Sequence, residues 1–206
     1  MKTKAFAARW ERLRVTRKLW LHNGGHGPPA GEEFDVTVNR WFDHWLFGVE
    51  NGILDEPRAR VQRADGSYEE SATWPVPGTR TARLHLGAGT LATRRPSRTP
   101  RQSFVDRGRE LDTEPPTMVT RGWIDVHNRS GPSRSMPIRQ GKEYAFSFDL
   151  QPDDYVVPAG HRIGLVVVST DHDYTIRPLP GTRLTLAPDR SELRLPVVGG
   201  RWALGF

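Results

Sequence analysis

"HRIGLVVVST", residues 161–170, decides the fold. Ile163 to Val168 form a short, almost unbroken apolar run, the pattern of a central β-strand buried on both faces. Around it, "MVTRGWIDVHN" (118–128), "EYAFSFDLQP" (143–152), "TRLTLAP" (182–188) and "SELRLPVV" (191–198) also read as strands, separated by Gly, Pro, Asp and Ser. Further upstream, "ARVQRADGSYEES" (59–71) sets Asp65-Gly66 between two alternating runs, a hairpin signal. In "RTARLHLGAG" (80–89), Ala82, Leu84 and Leu86 share one face of a strand. Residues 88–117 lack apolar periodicity and read as a loop, long for a compact domain. The chain from residue 57 onward is therefore expected to be an antiparallel β-sandwich.

The first 56 residues follow another rule. Phe6, Trp10 and Leu13 recur at spacings of four and three, which predicts an amphipathic helix over residues 1 to about 15. Lys18 to Leu21 predict a strand. Val38, Trp41, Phe42, Trp45, Leu46 and Val49 then form a helical stripe, with Asn39 as its expected N-cap and Asn51-Gly52 as its stop. Between strand and stripe lies "KLWLHNGGHGPP" (18–29), which runs an apolar strand into a glycine-flanked histidine, His26. Gly24, Gly25 and Gly27 are read as permitting a sharp turn that displays the imidazole, as catalytic bases are often displayed.

Composition narrows the function classes. The chain has 206 residues, 20 glycines, 17 prolines, no cysteine and a net charge of +6. Disulfides, thiolate metal sites and cysteine nucleophiles are excluded. No apolar run approaches the roughly 20 residues of a membrane span, and no signal peptide is read. The densest basic patch, "TRRPSRTPRQ" (93–102), is accompanied by no helix-turn-helix, zinc finger or aromatic RNA-binding strand, so a solvated loop is expected and no nucleic-acid partner. Asp171, His172 and Asp173 in "STDHDYT" (169–175), with His161 upstream, bring at most two oxygens to one side of a strand. That is too few for a metal, and no metal or other cofactor is expected.

Four segments carry a resemblance: "RWFDHWLFGVENGI" (40–53), "TRGWIDVHN" (120–128), "LQPDDYVVPAGHRIGLVVVSTDHDYTIRP" (150–178) and "LPVVGG" (195–200). With them the chain resembles the C-terminal region of bacterial Xaa-Pro dipeptidyl-peptidases, serine hydrolases related to the cocaine esterases. The resemblance implies a jelly-roll, galactose-binding-like β-sandwich over 57–206. It also implies that residues 1–56 are a C-terminal remnant of an α/β-hydrolase domain. His26 would match the triad histidine, which takes the serine proton and returns it to the leaving amine. The implied substrate is a peptide with proline at its second position.

Two departures accompany the resemblance. No Gly-x-Ser-x-Gly elbow occurs: "DGSYE", "HNRSGPS" and "VVSTDHD" have the wrong spacing. In the family, serine and aspartate both precede the histidine, and the opening "MKTK" resembles the segment that follows the acid. Both partners of His26 are thus expected outside this polypeptide, leaving the chain without hydrolysis of its own. Second, after "QSFVD" (102–106) relatives carry further strands, whereas "RGRELDTEPPTM" (107–118) bridges the interval here. Strands are therefore expected to be missing around 106–118, with ladder edges left unpaired. Asp125, His161, Asp171 and His172 are assigned structural roles in the sandwich. The alternative is a standalone β-sandwich module binding carbohydrate or protein, with Trp74, Trp123 and Tyr155 as stacking platforms. Sequence leaves compartment and oligomeric state open.

Overall fold

The computed structural model describes residues 4–106, 117–171, 174–176 and 179–205. They fall into two compact units, residues 1–72 with 116–156, and residues 73–115 with 157–206. Among the described residues there are two α-helices and eight strands, a β-rich chain.

In the first unit, α1 (Lys4–Arg12) buries Trp10, and the Arg17 guanidinium lies 4.4 Å above its indole ring. Next come β1 (Leu19–Leu21), α2 (Glu32–Phe47), β2 (Ala59–Gln62) and β3 (Tyr68–Ser71). β1 pairs parallel with β2, Leu19 opposite Ala59, and α2 supplies the crossover that parallel strands require. One sheet therefore runs across the expected boundary at residue 57. β2 and β3 form the antiparallel hairpin that Asp65-Gly66 signalled, with Gly66 at φ +88°. Leu21, Ile53, Ala59 and Val61 are the buried side chains of this sheet and its flank.

α2 corrects both expected ends. It begins seven residues before Asn39, with Gly31 at the N-cap and Glu32, Glu33 and Asp35 in the first turn, where carboxylates suit the helix dipole. It ends at Gly48 rather than Asn51-Gly52. There a left-handed residue (φ +69°) lets the Gly48 and Val49 N–H groups reach the His44 and Asp43 carbonyls. No α2 residue is buried; Leu46 is 68% and Phe47 76% exposed. The helix is held by polar ties. Arg40 and Asn51 exchange side chain-to-carbonyl bonds of 2.6 and 2.7 Å, and Glu56 receives both Arg40 and, at 2.8 Å, Lys18.

In the second unit, β4 (Thr79–Leu86) lies between β5 (Leu91–Ala92) and β8 (Glu192–Val198), antiparallel to both. Ala82, Leu84 and Leu86 point into its core, as their alternation predicted. β6 (Gln102–Val105) pairs with β7 (Arg183–Leu186). β5 and β6 fall inside the expected 88–117 loop, because pairing to distant strands sets their geometry more than local periodicity does.

The larger correction concerns 118–170. Of the five strands expected downstream of residue 117, only 182–188 and 191–198 form ladders. Val166, in the supposed central strand, is 58% exposed. Here the Gln151 N–H donates to the Arg121 carbonyl (2.8 Å) and the Thr120 hydroxyl to the Gln151 carbonyl (2.5 Å), beside Gly122, where a Cβ would stand 2.7 Å from the Asp149 oxygen. An apolar strand needs a neighbouring strand to pair with, and among the described residues Ile163–Val168 belongs to no ladder. Most of the 106–118 bridge, with His172 and Asp173, lies outside the described residues.

Candidate active-site histidine and its surroundings

The loop bearing His26 leaves β1 at the buried Leu21 and returns to α2 past the buried Pro29. Asn23 pins it to the neighbouring hairpin: its N–H donates to Gln62 Oε1 (2.9 Å) and its Nδ2 to the Arg63 carbonyl (2.8 Å). His22 Nδ1 accepts the Gly24 N–H at 3.2 Å, and burial pushes the His22 pKa down, favouring the neutral ring that can accept. A Cβ on Gly24 would stand 2.9 Å from that nitrogen. None of Gly24, Gly25 and Gly27 adopts a positive φ, and a Cβ at Gly25 or Gly27 would meet nothing within 4 Å. Of the three, only Gly24 stands where a side chain would crowd a neighbour, the His22 ring, and none makes a left-handed turn.

His26 itself is exposed and bonds to no described residue. No serine hydroxyl or carboxylate among the described residues forms a relay with it. The same unit has an open hollow of about 570 Å³ against Trp41 and Trp45, with Arg14 the only charged lining residue among the described residues.

The other sequence candidates are dispersed. Asp125 accepts the His127 N–H at 2.9 Å and His127 Nδ1 at 3.0 Å, and these bonds, backbone first, hold its pKa below the usual value. Sequence reading flagged Asp125 and missed His127, two residues on. The pair caps the 3-10 turn Val126–Asn128, and the nearby Ser130 hydroxyl turns instead to Met136 Sδ. The Asp171 carbonyl accepts the N–H groups of Tyr174 and Thr175, a turn closed by the Thr175 hydroxyl. The His161 N–H closes another turn onto Pro158. Trp74, Trp123 and Tyr155 are each half-buried, and Trp74 lies in a different unit from the other two.

The decisive observation comes from comparison with known families. Residues 95–197, half of the chain, match the X-Pro dipeptidyl-peptidase C-terminal non-catalytic domain. The chain belongs to this family. Among its relatives is a protein provisionally named Xaa-Pro dipeptidyl-peptidase from Bacillus anthracis, 35% identical over 260 residues, covering 96% of this chain and 43% of the relative. A similarly named protein of Rhodopirellula baltica is 31% identical over 255 residues, covering 90% and 40%. The Xaa-Pro dipeptidyl-peptidase of Lacticaseibacillus rhamnosus is 34% identical over 82 residues, 40% of this chain and 10% of that protein. A CocE/NonD-family hydrolase structure from Staphylococcus aureus shares 20% identity over 38% of this chain and 15% of its own, with a TM-score of 0.32, too little overlap to bear on the fold.

Family membership thus covers a chain that spans under half the length of the first two relatives. The Bacillus alignment needs 260 positions to take up 96% of these 206 residues, so roughly sixty positions of that relative have no counterpart here.

Proposed function

We propose that this chain is the C-terminal part of a serine exopeptidase that releases N-terminal Xaa-Pro dipeptides. In this reading the N-terminal part, with β1, the His26 loop and α2, is the end of an α/β-hydrolase domain whose sheet extends past residue 57 into β2 and β3, and the rest is a jelly-roll lacking strands near 106–118. The match of residues 95–197 to the family's non-catalytic domain carries it. The surplus positions in the relatives and the unladdered strand sequences of 118–170 support the missing strands.

His26 is the general base and acid. It takes a proton from a serine and returns it to the leaving amine, while an aspartate fixes its tautomer. Neither partner is in this polypeptide, so the chain alone does not hydrolyse peptides. The exposed ring, unbonded to any described residue, is consistent with a base whose relay lies elsewhere.

The test is complementation with the catalytic portion of the Bacillus anthracis relative, joined to this chain and assayed on an Ala-Pro-p-nitroanilide substrate. Hydrolysis is expected, falling by about 10⁴-fold or more in His26→Ala, as for the loss of a triad member elsewhere. An active chimera indifferent to His26→Ala would remove the histidine from the mechanism.

A further inference from the structure

The second unit holds a cavity of about 410 Å³, within the size range of small-ligand sites. It is an open hollow between β4 and the 3-10 turn Gly200–Leu204. Arg80, Arg83, His85, Thr93, Arg201 and Trp202 line it, and no carboxylate does among the described residues. All lie outside the 95–197 segment that defines the family match.

Its construction follows from the strand register. Thr81, Arg83 and His85 alternate with the buried Ala82, Leu84 and Leu86, and so share the solvent face. Arg80 sits one position earlier, against the turn: a Cβ on Gly200 (φ +70°) would stand 3.2 Å from the Arg80 Cβ. Glycine there lets the turn close tightly over the strand and bring Arg201 alongside. The Arg201 guanidinium rests 4.4 Å over the Trp202 ring.

The electrostatics are unbalanced. Arg83 stands directly opposite Arg194 in the β4–β8 ladder, a like-charge pair that is normally unfavourable. The one carboxylate nearby, Glu192, is engaged by Arg194 Nε and Nη2, each at 2.6 Å, with His85 Nδ1 at 4.0 Å. Arg83 reaches Glu192 only through space. Neither Arg80 nor Arg83 donates a hydrogen bond to a described residue. Three arginines, each with a planar fork of donors suited to oxyanions, thus line one hollow to which no described carboxylate contributes.

We propose that this cavity binds a small multivalent oxyanion, a compound presenting two or more phosphate or carboxylate groups. The inference is independent of any peptidase activity. It is tested by isothermal titration of the 206-residue chain at fixed ionic strength, with pyrophosphate in one arm and citrate in the other. Saturable one-to-one binding of at least one probe is expected, and the stronger arm tells phosphate from carboxylate chemistry.

Arg83→Gln and Arg201→Gln should each weaken binding tenfold or more, Arg83→Lys less, and Arg134→Gln, which is not part of the lining, not at all. These side chains lie at the surface, so thermal unfolding of the variants should match the parent and separate lost binding from lost folding. Absence of saturable binding to the folded chain would overturn the proposal. So would binding that Arg83→Gln and Arg201→Gln leave unchanged, which would assign the effect to diffuse attraction by a basic chain.

Discussion

Leu84 is fully enclosed between Ala82 and Leu86 on the inner face of β4, and its position could be read from period-two alternation alone. Truncation to alanine should cost about 2–5 kcal/mol, measured as a fall in the denaturant midpoint. Glu56 was not foreseeable, because Lys18 and Arg40 approach it from separate segments of the fold. Burial raises its pKa, but hydrogen bonds and charge from Lys18 and Arg40 outweigh that and hold it below the ordinary value. A carboxylate depressed in the folded state stabilises above its unfolded pKa, and the contribution fades as pH falls through the folded value. Glu56→Gln should therefore lower stability by about 1 kcal/mol near neutrality, a figure discounted for its partly exposed setting, with the difference vanishing under strong acid. Unfolding midpoints measured from neutrality into acid check the sign. His26 was visible as a displayed imidazole, yet the service of its glycines was misjudged: only Gly24 meets a steric limit, and the group responsible is a second histidine.

At the scale of elements, local signals located what local physics controls. The Asp65-Gly66 hairpin formed where predicted, and so did β1 and both helices, apart from the displaced ends of α2. Those ends moved because a stripe of apolar residues marks a helix face and not its limits. The three acidic residues after Gly31 and the left-handed Gly48 set them. Ladder pairing is a different matter, since a strand exists only with a neighbour. β5 and β6 are short and weakly patterned but found partners; 161–170 is strongly patterned and joins no ladder among the described residues. Amide hydrogen exchange should show the contrast directly. Residues 162–169 should exchange orders of magnitude faster than β4 and β8, whose ladder is continuous from Thr79–Val198 to His85–Glu192. Equal protection of both segments would mean that 162–169 has a partner strand after all.

For the whole molecule, half of the chain carries the family's non-catalytic domain, and the chemistry implied for the relatives by their names requires more. The sequence contains no Gly-x-Ser-x-Gly elbow, and His26 bonds to no described residue. The described residues leave a face of α2 and much of the apolar 163–168 segment exposed. The arginine-lined hollow escaped sequence reading because its side chains come from β4 and from a turn more than a hundred residues away. The claim that His26 has no nucleophile in this polypeptide is tested most directly by treating the folded 206-residue chain with a fluorophosphonate, which labels serines activated by a neighbouring base. The account predicts no labelling above a heat-denatured control. Stoichiometric labelling of one serine, abolished by His26→Ala, would contradict it.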